Sequence, residues 1–264
     1  MIEVQNLSIT FNPGTPNERR ALKDISLRLE NGEFACIIGS NGAGKSTLLG
    51  SIAGDVPLSG GRIMVSNTDV TKLPAEQRAT YIARVFQDPL LGSCGDLSIA
   101  ENLALASARG RRRTFRRALN RHYIETVKGR ISELGLGLED NLSQPMGSLS
   151  GGQRQALSLV MATLSPSSVL LLDEHTAALD PRNAEFVLDL TKRFAERYGL
   201  TVLMVTHSMR QALDMGTRTI MLHEGNIIFD ASGSHRKDLT IEDLLAQFRR
   251  VRNEDISEDR LLVG

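Results

Sequence analysis

Short apolar runs alternate with longer stretches of helical spacing along this chain. Residues 2–11 (IEVQNLSITF) mix apolar and polar positions as an edge strand does. A turn-rich stretch follows at 12–17, and a second strand is predicted over 21–29. Residues 34–38, 82–86, 169–172 and 201–206 are short and almost wholly apolar, the pattern of strands buried on both faces. Helical patterns lie between them, which implies βαβ units and a largely parallel, doubly covered sheet. Strands at 219–223 and 227–230, joined through Glu224-Gly225-Asn226, read as a hairpin. From 88 to 166 the strand signal disappears, and helices are expected over 98–108, 116–134 and 153–164. This middle stretch reads as a helical insertion into an α/β domain. The segment 231–264 carries one helix start, Thr240 with Asp243 three residues on, ahead of Leu244, Leu245 and Phe248. No internal repeat is visible.

Composition narrows the class. Apolar residues make up 41% and charged residues 23% of 264, an ordinary globular mixture. No aliphatic run approaches the ~20 residues of a membrane span, and the first residues show no secretory signal. Cys36 and Cys94 are too few for a disulfide framework or a four-ligand zinc site. A soluble cytosolic protein is expected. Lys plus Arg total 31, as do Asp plus Glu, and this balance argues against nucleic acid as a partner.

The first chemical signal is Gly39-Ser40-Asn41-Gly42-Ala43-Gly44-Lys45-Ser46-Thr47, which fits G-x-x-x-x-G-K-[ST]. It follows an apolar strand and opens a helix predicted over 45–53 and closed by Gly54. Gly42 and Gly44 let successive amides turn inward as an anion-binding nest, and the helix N-terminus adds positive potential. Lys45 can reach the β- and γ-phosphates of a nucleotide, and Ser46 can offer its hydroxyl to Mg²⁺.

Two further signals lie downstream. Asp173 and Glu174 end the apolar run 169–172, at the carboxyl end of a parallel strand, where open α/β sheets bind ligands. Asp173 suits Mg²⁺, and Glu174 can take a proton from an attacking water. Leu149-Ser150-Gly151-Gly152-Gln153 opens a second helix with a hydroxyl, two glycines and a positive helix end, and it has no lysine. Such a turn is a weak anion site alone, so it is expected to meet the phosphate of a nucleotide held by another copy.

In this order the motifs resemble those of ABC-type ATPases, over about residues 2–230. Ser150–Gln153 resembles the family signature, Gln87, directly after the strand 82–86, the Q-loop glutamine, Ala178-Leu179-Asp180 the D-loop, and His207 the H-loop histidine that meets the γ-phosphate. Phe11 stands where the family stacks an aromatic on adenine, the alternative being packing against the sheet. The resemblance implies a P-loop NTPase (RecA-like) core with a mostly parallel sheet, an N-terminal antiparallel β subdomain and an inserted α-helical subdomain. It implies one ATPase domain over 1–230, with the core in 1–87 and 166–230, the helical subdomain in 88–165, and a helical tail in 231–264. The cofactors are ATP and Mg²⁺, the latter held by Ser46, Asp173 and Gln87. Catalysis falls to Glu174, Lys45, His207 and Gln87, with Asp180 at a dimer seam.

The family's mechanism pairs two copies head to tail around two ATP to power a separate membrane permease, which places the chain on the inner face of the cell membrane. With no span of its own it is similar to import systems, which also use an extracytoplasmic binding protein. The stretch 173–180 and the loop 12–17 resemble ATPase subunits of tryptophan/tyrosine-type amino-acid systems. The alternatives are a non-transport assembly ATPase, such as the iron–sulfur type, or one driving lipoprotein release. One departure stands out: His175 replaces the family's usual proline, either as a neutral substitution or as a ring that tunes Glu174. Arg109, Arg111, Arg112, Arg113, Arg116, Arg117 and Arg121 form either a solvated face or a contact with anionic headgroups or a membrane partner's loop.

Overall fold

The computed structural model describes residues 1–110 and 118–250. The strands are β1 (Ile2–Phe11), β2 (Arg19–Leu29), β3 (Phe34–Gly39), β4 (Gly60–Val65), β5 (Thr68–Asp69), β6 (Ile82–Val85), β7 (Val169–Asp173), β8 (Thr201–Val205), β9 (Arg218–His223) and β10 (Asn226–Ser232). The helices are α1 (Lys45–Ala53), α2 (Ala75–Arg78), α3 (Ile99–Ser107), α4 (Arg121–Ser132), α5 (Gly151–Leu164), α6 (Pro181–Tyr198), α7 (Met209–Met215) and α8 (Gly233–Lys237), followed by a helical stretch over 241–250.

The strands make two sheets. The larger runs β10-β9-β3-β8-β7-β6, parallel from β9 to β6, with only β10 antiparallel. The smaller is antiparallel, in the order β2-β1-β4-β5. The mixed pattern of 2–11 therefore does not mark an edge. β1 is an inner strand, paired on both sides, and register shifts after Val4 and Leu7 disturb its alternation.

Side-chain alternation in the parallel strands divides the interior in two. Cys36, Ile38, Leu170 and Leu172 face a core built with α3, α4, α5 and α6. Ala35, Ile37, Val169 and Leu171 face the opposite way, toward α1 and the antiparallel sheet. α1 is thus clamped between two sheets, and its first turn lies where the carboxyl ends of β3 and β7 emerge.

The described residues between β6 and β7 are helices, turns and one isolated bridge, Ser98 to Pro145. α3 starts at a capping box between Ser98 and Glu101. α4 starts at Arg121, later than the expected 116, because the Asn120 side chain accepts from the Tyr123 amide and sets the N-cap there. Arg111, Arg112, Arg113, Arg116 and Arg117 lie outside the described residues; Arg109 is within them and donates to the Ala162 carbonyl.

The hairpin between β9 and β10 closes on Glu224 and Gly225, and β10 runs to Ser232, beyond the expected end at 230. Thr240 caps the last helical stretch through Asp243, as its sequence predicts, and Leu244 is fully buried. No helix of the described residues is long and apolar enough to cross a membrane.

Candidate active site

The turn between β3 and α1 is built around glycines that nothing else could replace. Gly42 and Gly44 have φ of 80° and 101°, a region strained for any L side chain. A Cβ on Gly44 would also meet the Ala21 carbonyl oxygen at 2.6 Å. Lys45 folds back over this turn and donates to the carbonyls of Gly39 and Ser40, at 2.9 Å each. Burial pulls its ammonium below the ordinary lysine value, while the nearby Glu174 and Asp173 carboxylates work in the opposite direction.

Those carboxylates close the site from β7. Asp173 Oδ1 accepts from the Ser46 hydroxyl at 3.1 Å, so α1 and β7 present one hydroxyl and one carboxylate together. Glu174 follows with φ 47° and donates its amide to the Val205 carbonyl, which turns its side chain out of the strand direction. Its Oε1 lies 2.6 Å from His207 Nε2, beyond the end of β8.

Lys45, Ser46, Glu174 and His207 line a cleft of about 300 Å³ with Phe11, Arg19, Ala21, Asn41, Gly42, Gly44 and Thr47, and Asp173 adjoins it through its bond to Ser46. Phe11 stands at the end of β1 and is 39% exposed, so it is not consumed in packing against the sheet. The donor set fits a nucleotide triphosphate with Mg²⁺. The amide nest and Lys45 suit the phosphates, and the Ser46–Asp173 pair suits an ion that takes its remaining oxygens from phosphate and water.

Several expected residues lie elsewhere. Gln87 is exposed and outside the cleft. Asp180 is the N-cap of α6 and accepts from the Asn183 amide, which holds its carboxyl below the usual range. Ser150 and Gln153 form a reciprocal capping box at the start of α5, away from the cleft. Gly151 and Gly152 are the first helical positions of α5. Gly152 is small because a Cβ there would lie 2.6 Å from Asn183 Cγ, so it serves close packing of α5 on α6.

His175 does not reach the cleft. Its ring turns away from Glu174 into the core, fully buried, with Nε2 3.1 Å from Thr191 Oγ1. Burial lowers its pKa to about 4, so it stays neutral at physiological pH.

Three residues escaped the sequence reading. Arg19 lines the cleft and donates to the Gly42 carbonyl at 3.0 Å. Arg84 pairs with Asp173. Gln155, buried in α5, donates to the Phe86 carbonyl just before Gln87. A charge within the apolar run 82–86 and a polar residue on the buried face of α5 were the signals available.

Comparison with known proteins decides what this arrangement is. The sequence profile of the ABC transporter family matches residues 22–177. The chain belongs to the ABC transporter family. It is 42% identical over 250 residues to the tyrosine transport ATP-binding protein of Clostridioides difficile (strain R20291), covering 94% of this chain and 98% of that one. It is 32% identical to an energy-coupling factor transporter ATP-binding protein of Clostridium tetani over 88% of this chain and 79% of the relative. Among solved structures it is similar to the dimeric, ADP- and Pi-bound ATP-binding cassette MJ0796, with a TM-score of 0.76, 27% identity, and coverage of 88% of this chain and 98% of that cassette. As an ABC ATPase it binds and hydrolyses ATP, on the same fold as those cassettes.

Proposed function

We propose that this chain is the ATPase subunit of a solute importer, one cassette over 1–230, acting as a homodimer at the inner face of the cell membrane. One observation carries the reading. The cleft brings together Phe11, the phosphate turn, Lys45, Ser46, Glu174 and His207, while Ser150–Gln153 is capped outside it, so the second turn would reach phosphate only across a dimer. The dimeric state of the MJ0796 cassette supports it, and the named tyrosine transport relative supports an amino-acid cargo. A permease, with an extracytoplasmic binding protein, completes the system. Its docking surface is the groove of about 990 Å³ beside β6 and α3, where Phe86, Leu91 and Leu105 are apolar and the last two largely exposed.

Within the site, Phe11 stacks on the base, and the amides of residues 39–47 and Lys45 Nζ bind the phosphates. Ser46 and Asp173 hold Mg²⁺, which when bound neutralises charge on the phosphate oxygens. Glu174 accepts the proton of the attacking water, and His207 Nε2 fixes that carboxylate and faces the γ-phosphate. Gln87 joins only when the segment after β6 closes on the site. Asp180, through its bonds to Asn183, shapes the dimer seam beside Gly152.

Replacing Glu174 tests this directly. Glu174→Gln should bind ATP, form a stable ATP-dependent dimer by light scattering, and turn over roughly 10²–10³-fold more slowly. A dilute, strictly monomeric preparation that keeps full specific activity would overturn the reading.

A further inference from the structure

Arg84 is a cation in the middle of a strand whose neighbours Ala83 and Val85 are buried. Alternation along β6 puts Arg84 on the α1 side of the sheet, the side Leu171 and Asp173 share on the neighbouring β7. Its guanidinium is divided between two carboxylates: Nη2 donates to Asp173 Oδ2 at 2.8 Å and Nη1 to Asp55 Oδ2 at 2.5 Å. The Arg84 and Asp173 side chains are only 17% and 13% exposed, so water screens this pair weakly. The guanidinium carbon also sits 4.6 Å from the centroid of the Phe86 ring. Asp173 is therefore engaged on both oxygens, by Ser46 on Oδ1 and by Arg84 on Oδ2.

We propose that Arg84 is a positioning residue that sets the Mg²⁺ affinity of the Ser46–Asp173 pair, with Asp55 as the counterweight. The proposal rests on the reading that Ser46 and Asp173 hold the metal. A divalent ion and a guanidinium compete for the same carboxylate charge. Asp55 draws the guanidinium the other way and so relieves Asp173 of part of it.

Two effects of removing Arg84 oppose each other. Asp173 loses a tether and gains rotamer freedom, which weakens metal binding slightly. The site also loses a positive charge and leaves Asp55 unpaired, which strengthens the attraction for a doubly charged ion. The charge effect dominates, because Coulomb energy scales with the ion's charge in a weakly screened site. Removing Asp55 has the reverse sign, since the guanidinium is then left to Asp173 alone. Arg84 and Phe86 both line the large groove, so this one side chain also spans from the metal carboxylate to that surface.

The test is Mg²⁺-dependent binding of a fluorescent, non-hydrolysable ATP analogue to the full chain. Arg84→Met should lower the Mg²⁺ midpoint about tenfold, and Asp55→Asn should raise it roughly threefold. Arg84→Met should not improve analogue affinity in EDTA, because the chain has lost a cation near an anion site. Asp55 is 47% exposed on its side chain, so Asp55→Asn decides the matter even if Arg84→Met fails to fold. Midpoints within twofold of wild type in both variants, or shifts of the same sign, would overturn the proposal. An Asp173→Asn chain separates the two readings. If it leaves the midpoint unchanged, the metal assignment itself falls; if it moves the midpoint while Arg84 and Asp55 variants do not, only the role of Arg84 falls.

Discussion

His207 Nε2 lies 2.6 Å from Glu174 Oε1, so the candidate base is partnered by a residue beyond the end of the neighbouring strand. Glu174 is the left-handed residue that follows β7, and His207 lies in the segment after β8. Their contact ties the ends of two adjacent parallel strands across the mouth of the cleft. Orientation of this kind is worth more to the chemical step than to ground-state binding.

His207→Ala should therefore slow hydrolysis about 10²-fold and change nucleotide affinity little. Single-turnover kinetics beside equilibrium binding of a fluorescent ATP will separate the two. An equal loss in both would mean that His207 serves binding in general.

The fit of α5 on α6 is tight at one point. A Cβ on Gly152 would sit 2.6 Å from Asn183 Cγ, and Asn183 also donates through Nδ2 to Asp180 at 2.6 Å. Gly152→Ala should push Asn183 off Asp180, cost roughly 1–3 kcal/mol of stability by overpacking, and reduce ATP-driven dimer formation. Urea unfolding read together with light scattering will show both effects. An alanine variant of full stability and full dimerisation would mean that Asn183 moves aside freely.

The neutral ring of His175 predicts a pH dependence of stability. Its folded pKa of about 4 lies below the ordinary histidine value of 6.5 because burial disfavours the charged ring. Between those values the unfolded chain takes up a proton that the folded chain refuses. Stability is then complete above pH 6.5 and declines as pH falls toward 4, by on the order of 3 kcal/mol for this group. His175→Gln can still bond Thr191 and cannot titrate, so its unfolding midpoint should fall less steeply over that window. Parallel pH profiles for the two proteins would exclude this role.

Much of this molecule could be read from its residues, for reasons that differ by element. The buried parallel strands announced themselves because both faces are apolar, so no register had to be chosen. α1 was legible at both ends, since the turn before it demands Gly42 and Gly44 and the turn after it demands Gly54. The helical stretch after Thr240 was legible from its capping box alone. β1 was misjudged because bulges break its alternation, making an inner strand look like an edge. β4 and β5 were not foreseen: Gly60-Gly61-Arg62 hides a strand that exists only because β1 is there to pair with it. In the site, glycine rules found the phosphate turn and the helix start at Ser150, but not the packing role of Gly152. There the missing side chain makes room for Asn183, a neighbour that only tertiary structure supplies. Arg84 was invisible for the same reason, since its partners lie 29 and 89 residues away along the chain.

The two thiols are chemically unequal, and that has a practical use. Cys36 is fully enclosed on an inner strand of the parallel sheet, and burial raises its pKa to about 12, leaving it without thiolate at neutral pH. Cys94 is exposed and lies on the wall of the large groove. A maleimide dye added to the native sequence should label that wall at a single position, giving an optical gauge of anything that settles into the groove, without mutating a residue.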